Sequence, residues 1–287
     1  MPPGGTLYVV ATPIGNLEDI TLRALKTLKA VQLVAAEDTR RTGHLLRHFD
    51  IAVPILSVHE HNERGRVERI VGRLAKGESV ALVTDAGTPG VSDPGAALVA
   101  AVREAGFRIE PIPGASAVAA AYSASGISSD GFVFVGFPPI RGKARKRWFE
   151  TVISDSKSRA VVFFEAPHRV EKTLQELAVL VDRPIFAARE LTKLHEELIW
   201  ASPGDLLTKF ESLHGEFTFV VPPGQATEQA SAAMTDDQII DYFGDMTNKI
   251  SGASKREVAR RVAEDIGMST KDVYSALERV KLGQSAK

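Results

Sequence analysis

The chain has 287 residues with 35 basic and 36 acidic side chains, a formal charge of −1, 44% hydrophobic residues and no cysteine. That length predicts about two ordinary domains, each with its own core, and the balanced charge confines any nucleic-acid surface to a local patch. The lack of cysteine excludes disulfides, thiolate metal sites and cysteine nucleophiles. With no basic leader and no apolar run near the roughly eighteen residues that span a bilayer, the expectation is a soluble, cytoplasmic protein.

Leu7 to Ala11 reads as a strand, closed by the loop Thr12-Pro13-Ile14-Gly15-Asn16. Glu18, Asp19 and Thr21 open a helix in which Leu22, Leu25 and Leu28 share a face. Val31 to Ala36 is the next strand and delivers Glu37-Asp38-Thr39-Arg40-Arg41 at its end, a polar run that suits a site, with capping by Asp38 as the plainer alternative. His59 and His61, two apart, match no strong metal spacing, and no metal site is expected. An amphipathic helix over Arg66 to Lys76 leads into the short apolar strand Val80 to Val83.

The stretch after that strand, Asp85 to Gly95, holds three glycines and two prolines, so it is a loop whose backbone a ligand can approach closely. Ser92-Asp93-Pro94 is expected to cap a helix through Ala105, with the proline at its first position. Phe107 to Ile112 is a strand, and Pro113-Gly114-Ala115-Ser116-Ala117 starts a helix through Ala124. Loops at 12–16, 85–95 and 113–117 thus point to one cleft at strand ends, on a mostly parallel sheet.

A break falls near 125–130. Strands then follow at Phe132 to Phe137, Ala160 to Phe164, Pro184 to Ala188 and Phe217 to Val221, spaced irregularly enough to predict a mixed sheet. Between them lie Arg141, Lys143, Arg145, Lys146 and Arg147 with Trp148, a cluster able to grip phosphates and stack a base, or else a solvated helix face beside a buried Trp. Polar segments close two of these strands: Glu165-Ala166-Pro167-His168-Arg169, and Arg189 to Lys193 followed by His195-Glu196-Glu197. Gln225 to Ala233 reads as a linker. Helices are expected over Thr235 to Met246, Lys255 to Ile266 and Thr270 to Leu282, with Ser254 and Ser269 as caps. Ala263, Gly267 and Val273 fit a helix-turn-helix pattern studded with Lys255, Arg256, Arg260, Arg261 and Lys271; a small packing bundle fits equally. The domains expected are 6–124, 131–224 and 235–283.

Taken together, TPIGNLEDITLRAL, AEDTRRTGHLL, DAGTPGVSDPG, PGASA, EAPHR, ARELTKLHEE and GEF, spread over residues 6 to 222, resemble the ribosomal RNA small subunit methyltransferase I group of the tetrapyrrole methylase superfamily. Ala115 stands where a second proline is usual, Phe164 where tyrosine is common, and His214 where lysine often precedes GEF. The resemblance implies a two-domain α/β fold, a homodimer, and transfer of a methyl group from S-adenosylmethionine to the ribose 2′-hydroxyl of a cytidine in 16S rRNA or the small ribosomal subunit. It implies cofactor contacts from Pro13, Asp85, Ala86, Gly87, Thr88, Pro89, Val91, Ser116, Ala117, Phe164, Glu165 and Thr218. Glu190, Lys193, His195 and Glu197 supply acid, base and cation for the chemistry. Arg40 and Arg41, the 141–147 cluster and the C-terminal basic residues would hold RNA. Two other readings share the fold: a tetrapyrrole C-methyltransferase, whose acceptor does not need the basic segments, and a non-catalytic nucleic-acid-binding protein. A nucleotide hydrolase is set aside, because no glycine loop carries GxxxxGK[ST].

Overall fold

The computed structural model describes residues 4–59, 63–224, 236–249, 254–266 and 270–284. Through the first half, strands and helices alternate: β1 (Thr6–Val10), α1 (Leu22–Ala30), β2 (Leu33–Ala36), α2 (Thr39–His48), β3 (Ile55–Ser57), α3 (Glu63–Ala75), β4 (Val80–Val83), α4 (Ala96–Glu104), β5 (Arg108–Ile112) and α5 (Ala117–Ser125). The five strands make one parallel sheet in the order β3-β2-β4-β1-β5. Helices α3 and α4 cover one face around Leu7, Leu82, Ile70 and Leu98, and α1 and α2 cover the other around Val10, Val34, Leu28 and Leu46. Burial on both faces is why β2 and β4 are apolar at every position.

The second half continues with β6 (Phe132–Phe134), α6 (Gly142–Asp155), β7 (Ala160–Glu165), α7 (Pro167–Ala178), β8 (Ile185–Arg189), β9 (Glu197–Ala201), α8 (Pro203–Lys209) and β10 (Phe217–Val221). Its sheet runs β6-β7-β10-β8-β9, with β6 parallel to β7 and the other pairs antiparallel, the mixed sheet that the irregular spacing predicts. Because β10 runs against both β7 and β8, its first residues lie beside their last: Phe217 pairs with Glu165 on one side and Arg189 on the other. Three polar strand ends thereby gather at one edge.

Helix α5 follows the first sheet in the chain yet packs its Val118 and Ala121 on the second, against Ala160, Val162, Phe186 and Val220. Residues up to Pro223 form one compact unit. Three elements lie outside the expectations. β3 is three residues long, β9 is a half-exposed edge strand that begins at Glu197, one of the four expected catalytic residues, and α8 begins at Pro203 with Ser202 capping it. Leu22 points outward, 85% exposed, instead of joining the inward face of α1.

The cap of α4 also differs. The helix begins at Ala96 with Gly95 as its cap at φ 126°, so Pro94 is not its first residue and neither Ser92 nor Asp93 serves it. A side chain at Gly95 would meet Leu82 Cδ2 at 2.9 Å, and that approach draws the chain onto the sheet before the helix starts.

The residues from Gly224 form a second unit. Its helices α9 (Asp236–Lys249), α10 (Lys255–Ile266) and α11 (Thr270–Gln284) bury Ile239, Val258, Ala259, Val262, Ala263, Val273 and Ala276 together. Ala263 and Val273 therefore sit inside, as a helix-turn-helix pattern requires. The expected linker at 225–233, Gly267, Ser269 and residues 60–62 lie outside the described residues.

Candidate functional site

The loops after β1, β4 and β5 are joined by their backbones. Thr12 and Gly87 exchange hydrogen bonds, N–H to O at 2.9 Å and 3.0 Å, and the Thr88 hydroxyl donates to the Ala115 carbonyl at 3.3 Å. Gly87 holds φ at 79° and Gly90 at 83°, left-handed steps that glycine makes at little steric cost, and Ser92 takes a third at 62° as a non-glycine residue. Opposite stands the edge where β7 and β8 end and β10 begins. The two walls touch at Gly15, where an added Cβ would lie 2.5 Å from Lys193 Cγ and 2.8 Å from the Leu191 carbonyl, and at Gly136, whose Cβ would meet Ser92 Oγ at 3.5 Å.

Between the walls lies a cavity of about 330 Å³, near the lower end of the range for small-molecule sites, ~300–1,000 Å³. Ala86, Gly87, Thr88, Val91, Ser116 and Ala117 line it from one side, and Phe164, Glu165 and Thr218 from the other. All nine are among the expected cofactor contacts. Ile14, Ser92, Asp93, Phe137, Ala166, Pro167, Leu191, Glu216 and Phe217 line it as well, and sequence reasoning did not assign them. Ser92, Ala166 and Phe217 adjoin assigned residues in the same motifs, and that adjacency is the signal in the sequence that points to them.

Pro13, Asp85 and Pro89 lie outside the lining. Asp85 serves the scaffold: its Oδ1 accepts the Asp38 N–H at 3.0 Å and its Oδ2 stands 3.6 Å from Arg41 Nε, which ties the 85–95 loop to the β2–α2 junction. Asp38 itself caps α2 through the Arg40 N–H.

The four expected catalytic residues divide. Glu190 Oε1 accepts from Lys193 Nζ at 2.8 Å and from the Glu216 N–H at 2.9 Å, and Lys193 Nζ also reaches Glu216 Oε2 at 3.0 Å. Burial works against the charge on Lys193, but the two carboxylates outweigh it and hold its pKa above the usual lysine range. Burial likewise opposes ionisation of Glu190, and the bonds from Lys193 and Glu216 N–H still leave its pKa below the usual range. Glu190 and Lys193 thus hold each other in their charged forms, and Glu216 carries the cluster to the cavity rim. His195 is exposed, and its carbonyl accepts from Arg189 Nη1 at 3.2 Å. Glu197 accepts from Arg189 Nη1 at 2.6 Å, with only 8% and 16% of the two side chains exposed. That ion pair staples β9 to β8, so Glu197 is a structural residue and not part of the cavity. Glu197→Ala is expected to cost about 3 kcal/mol, the penalty of a buried charge left unpaired, while cofactor affinity stays within about twofold; a urea melt and a calorimetric titration check the two halves.

The basic cluster on α6 is split by its helix face. Arg141, Lys143, Lys146 and Arg147 are exposed. Arg145 is 93% out of solvent by its side chain and is fully bonded: Nε to Glu176 at 2.7 Å, Nη2 to Thr173 Oγ1 at 2.8 Å, Nη1 to the Pro139 carbonyl at 3.0 Å. It is thereby unable to meet a phosphate as expected. Arg145, Phe149 and Val152 recur at helical spacing on the buried side of α6, a periodicity readable in the sequence. Trp148 donates its indole N–H to Val135 and packs edge-on to Phe163, so it is part of the core and not a stacking platform for a base. Arg40 and Arg41 are exposed at the first turn of α2, and Lys255, Arg256, Arg260, Arg261 and Lys271 are exposed in the C-terminal unit, with Glu257 paired to Arg260 and Arg261.

Residues 6–207 match the family model described as Tetrapyrrole (Corrin/Porphyrin) Methylases. The chain is 40% identical over 274 residues to ribosomal RNA small subunit methyltransferase I of Synechocystis sp., covering 94% of this chain and 96% of that one. It is 42% identical to the protein of the same name from Neisseria meningitidis serogroup B, covering 88% and 91%. Among solved structures it resembles a diphthine synthase, TM-score 0.61 at 18% identity over 76% of this chain and 90% of that one. It also resembles uroporphyrin-III-C-methyltransferase from Thermus thermophilus, TM-score 0.55 at 20% identity over 76% and 94%. At those identities the structural likeness speaks for the fold alone.

Proposed function

The chain belongs to the ribosomal RNA small subunit methyltransferase I family of the tetrapyrrole methylases, and from that membership we propose that it transfers the methyl group of S-adenosylmethionine to the ribose 2′-hydroxyl of a cytidine in 16S rRNA. The observation that carries the reading is the backbone-lined cavity between the two walls. Gly87 lines that cavity at φ 79°, a left-handed conformation that side chains rarely adopt, so the main chain there is bare toward the space a nucleoside would enter. Ala86, Gly87, Thr88, Ser116 and Ala117 would hold the cofactor from one wall, and Phe164, Glu165 and Thr218 from the other. The cofactor supplies an activated methyl on a sulfonium, so the chain's own task is to orient donor and acceptor and exclude water.

The acceptor side of the reading rests on exposed cations. Arg40, Arg41, Arg141, Lys143, Lys146 and Arg147 are free of the core, and a groove of about 800 Å³ between α6 and α7 is rimmed by Arg141, Lys146, Lys157 and Lys172. In this reading residues 6–124 and 131–224 supply the two walls, 235–283 add a further RNA-binding surface, and the protein acts as a cytoplasmic homodimer on rRNA or the small subunit. Tetrapyrrole methylation is disfavoured, since the relatives near 40% identity over most of the chain carry the rRNA name and the porphyrin enzyme stands at 20%.

Purified protein, methyl-labelled S-adenosylmethionine and small subunits lacking the modification provide the test, with label expected at one cytidine of 16S rRNA. No label sinks the reading. Lys143→Glu with Arg147→Glu is expected to weaken RNA binding and flatten its salt dependence by about one unit of slope per lost phosphate contact.

A further inference from the structure

The loop after β6 and the turn after β7 both deliver residues to the cavity: Phe137 from the first, and Glu165, Ala166 and Pro167 from the second. Phe137 is a large apolar side chain left 46% exposed, and its ring leans edge-on against Phe164 at 5.4 Å between centroids. The Gly136 carbonyl accepts the Phe164 N–H at 3.0 Å, which ties the start of the loop to β7. From there the chain runs through Pro138 and Pro139 to α6 at Gly142. Neither proline has an N–H to donate, so the main chain there cannot fix the loop by its own donors. A side chain does it instead.

Arg145 holds the loop from behind, its Nη1 donating to the Pro139 carbonyl at 3.0 Å. Its other two nitrogens reach α7, Nη2 donating to Thr173 Oγ1 at 2.8 Å and Nε to Glu176 at 2.7 Å. Thr173 is wholly buried and donates its hydroxyl to Glu165 Oε2. A guanidinium only donates and an ionised carboxylate only accepts, so that hydroxyl can point one way only, toward Glu165. Glu165 in turn accepts the Ala166 N–H at 2.8 Å and so sets the turn that carries Ala166 and Pro167 into the cavity. One buried side chain thereby braces two segments of the same wall. Arg145 also borders the groove between α6 and α7, but with 7% of its side chain exposed and all three nitrogens committed it has nothing to offer an occupant there.

We propose, resting on the methyltransferase reading above, that Arg145 is a positioning residue for the cofactor: it holds Phe137 and the Glu165 turn in the arrangement that receives S-adenosylmethionine, and takes no part in gripping RNA. A wall segment released from its anchor opens locally while the rest of the domain stays folded. Cofactor binding must then order the segment, and apparent affinity falls by the fraction of molecules in which the wall is already set. The methyl transfer itself is untouched once cofactor saturates, because Arg145 is not among the residues that line the cavity. Lysine is a poor replacement, since one nitrogen on a flexible stem lacks the planar fork that spans Pro139, Thr173 and Glu176.

The test uses the full chain and compares wild type with Arg145→Met, Arg145→Lys, Thr173→Val and Thr173→Ser. Each is titrated calorimetrically with S-adenosylmethionine, bound to unmodified small subunits over a range of salt, melted, and assayed for KM and kcat. Thr173→Val should weaken cofactor binding about tenfold, while Thr173→Ser, which keeps the hydroxyl, should stay within about twofold of wild type. Arg145→Met loses the Pro139 anchor as well and should weaken it further, to about 30-fold, with Arg145→Lys recovering only part. Adding Thr173→Val to Arg145→Met should cost nothing more, because both act through Glu165. In all of these KM for the cofactor should rise, kcat should stay within about threefold, and affinity for the small subunit and its salt slope should not change. Lys143→Glu with Arg147→Glu should give the reverse pattern. Arg183→Met is the control for an arginine that only supports the fold: it binds the Ser156 and Pro222 carbonyls, at the end of β10 away from the cavity, and should lower the melting temperature without moving cofactor affinity.

Cofactor affinity of Arg145→Met within about twofold of wild type overturns the proposal. So does an equal loss in Arg183→Met, or a fall in affinity for the small subunit as large as that of the Lys143 and Arg147 pair. If Arg145→Met does not fold, the Thr173 variants decide, and equal affinities for valine and serine there overturn the role. If wild type labels no RNA, the acceptor reading fails, whereas the cofactor titrations still judge Arg145.

Discussion

Glu165→Ala is expected to cost about 3–5 kcal/mol of folding stability and to abolish measurable cofactor binding. The Glu165 side chain is fully buried at the end of β7, and its carboxylate organises the turn into α7. Oε1 accepts the Ala166 N–H at 2.8 Å and Arg169 Nε at 2.7 Å, while Oε2 accepts from the Thr173 hydroxyl. Thr173 in turn accepts from Arg145, and Arg145 binds Glu176, so the chain of contacts passes from the cavity wall across α7 to α6. Alanine leaves the Arg169 guanidinium, 18% exposed, without its counter-charge and Thr173 without its acceptor, which is the situation in which breaking a buried pair carries its full penalty. The same turn supplies Ala166 and Pro167 to the cavity, so its collapse reaches the cofactor. Glu165→Gln keeps the shape and loses the charge, and should fall between the two, at roughly 1–3 kcal/mol. Urea unfolding at neutral pH measures the first effect and calorimetry the second; a loss below about 1 kcal/mol in the alanine variant would remove Glu165 from this role.

Gly15→Ala is expected to weaken S-adenosylmethionine binding at least tenfold, about 1.4 kcal/mol, with little change in global stability. Gly15 is exposed, so the effect is local. Its new Cβ would stand 2.5 Å from Lys193 Cγ, 2.8 Å from Thr192 Oγ1 and 2.8 Å from the Leu191 carbonyl. The lysine methylene can swing away, but the carbonyl belongs to a turn in which Glu190 at φ 52° and Thr192 at φ 66° are already left-handed. Further movement there opens the two walls. Gly90→Ala is the control: φ is 83°, so the backbone is strained, but nothing lies within 4 Å of the added carbon. Equal losses in the two variants would assign the effect to backbone strain and overturn the role of wall contact at Gly15.

The parallel sheet was legible because strands buried on both faces leave a continuous apolar run, as VALV at Val80–Val83 does. β9 was not, because an edge strand keeps one face wet and ELIWA alternates polar and apolar residues like a surface segment. Arg145 lay in a run of like charges, and charge overrode the helical period that turns it inward. Ser-Asp-Pro before an apolar run is a strong local signal for a cap at Asp93; the packing of Gly95 against Leu82 moves the helix start onward, and Asp93 lines the cavity instead.

By itself the sequence determined the alternation of strands and helices, the three glycine-proline loops at strand ends, and the family, because each depends on residues close together in the chain. Only the tertiary structure decided which carboxylates are paired, and with what. Arg189 takes Glu197, Lys193 takes Glu190 and Glu216, and Arg169 and Thr173 take Glu165. The availability of a charge depends on who stands beside it after folding, and the 47 positions between Asp38 and Asp85 or the 31 between Arg145 and Glu176 leave no mark in local sequence.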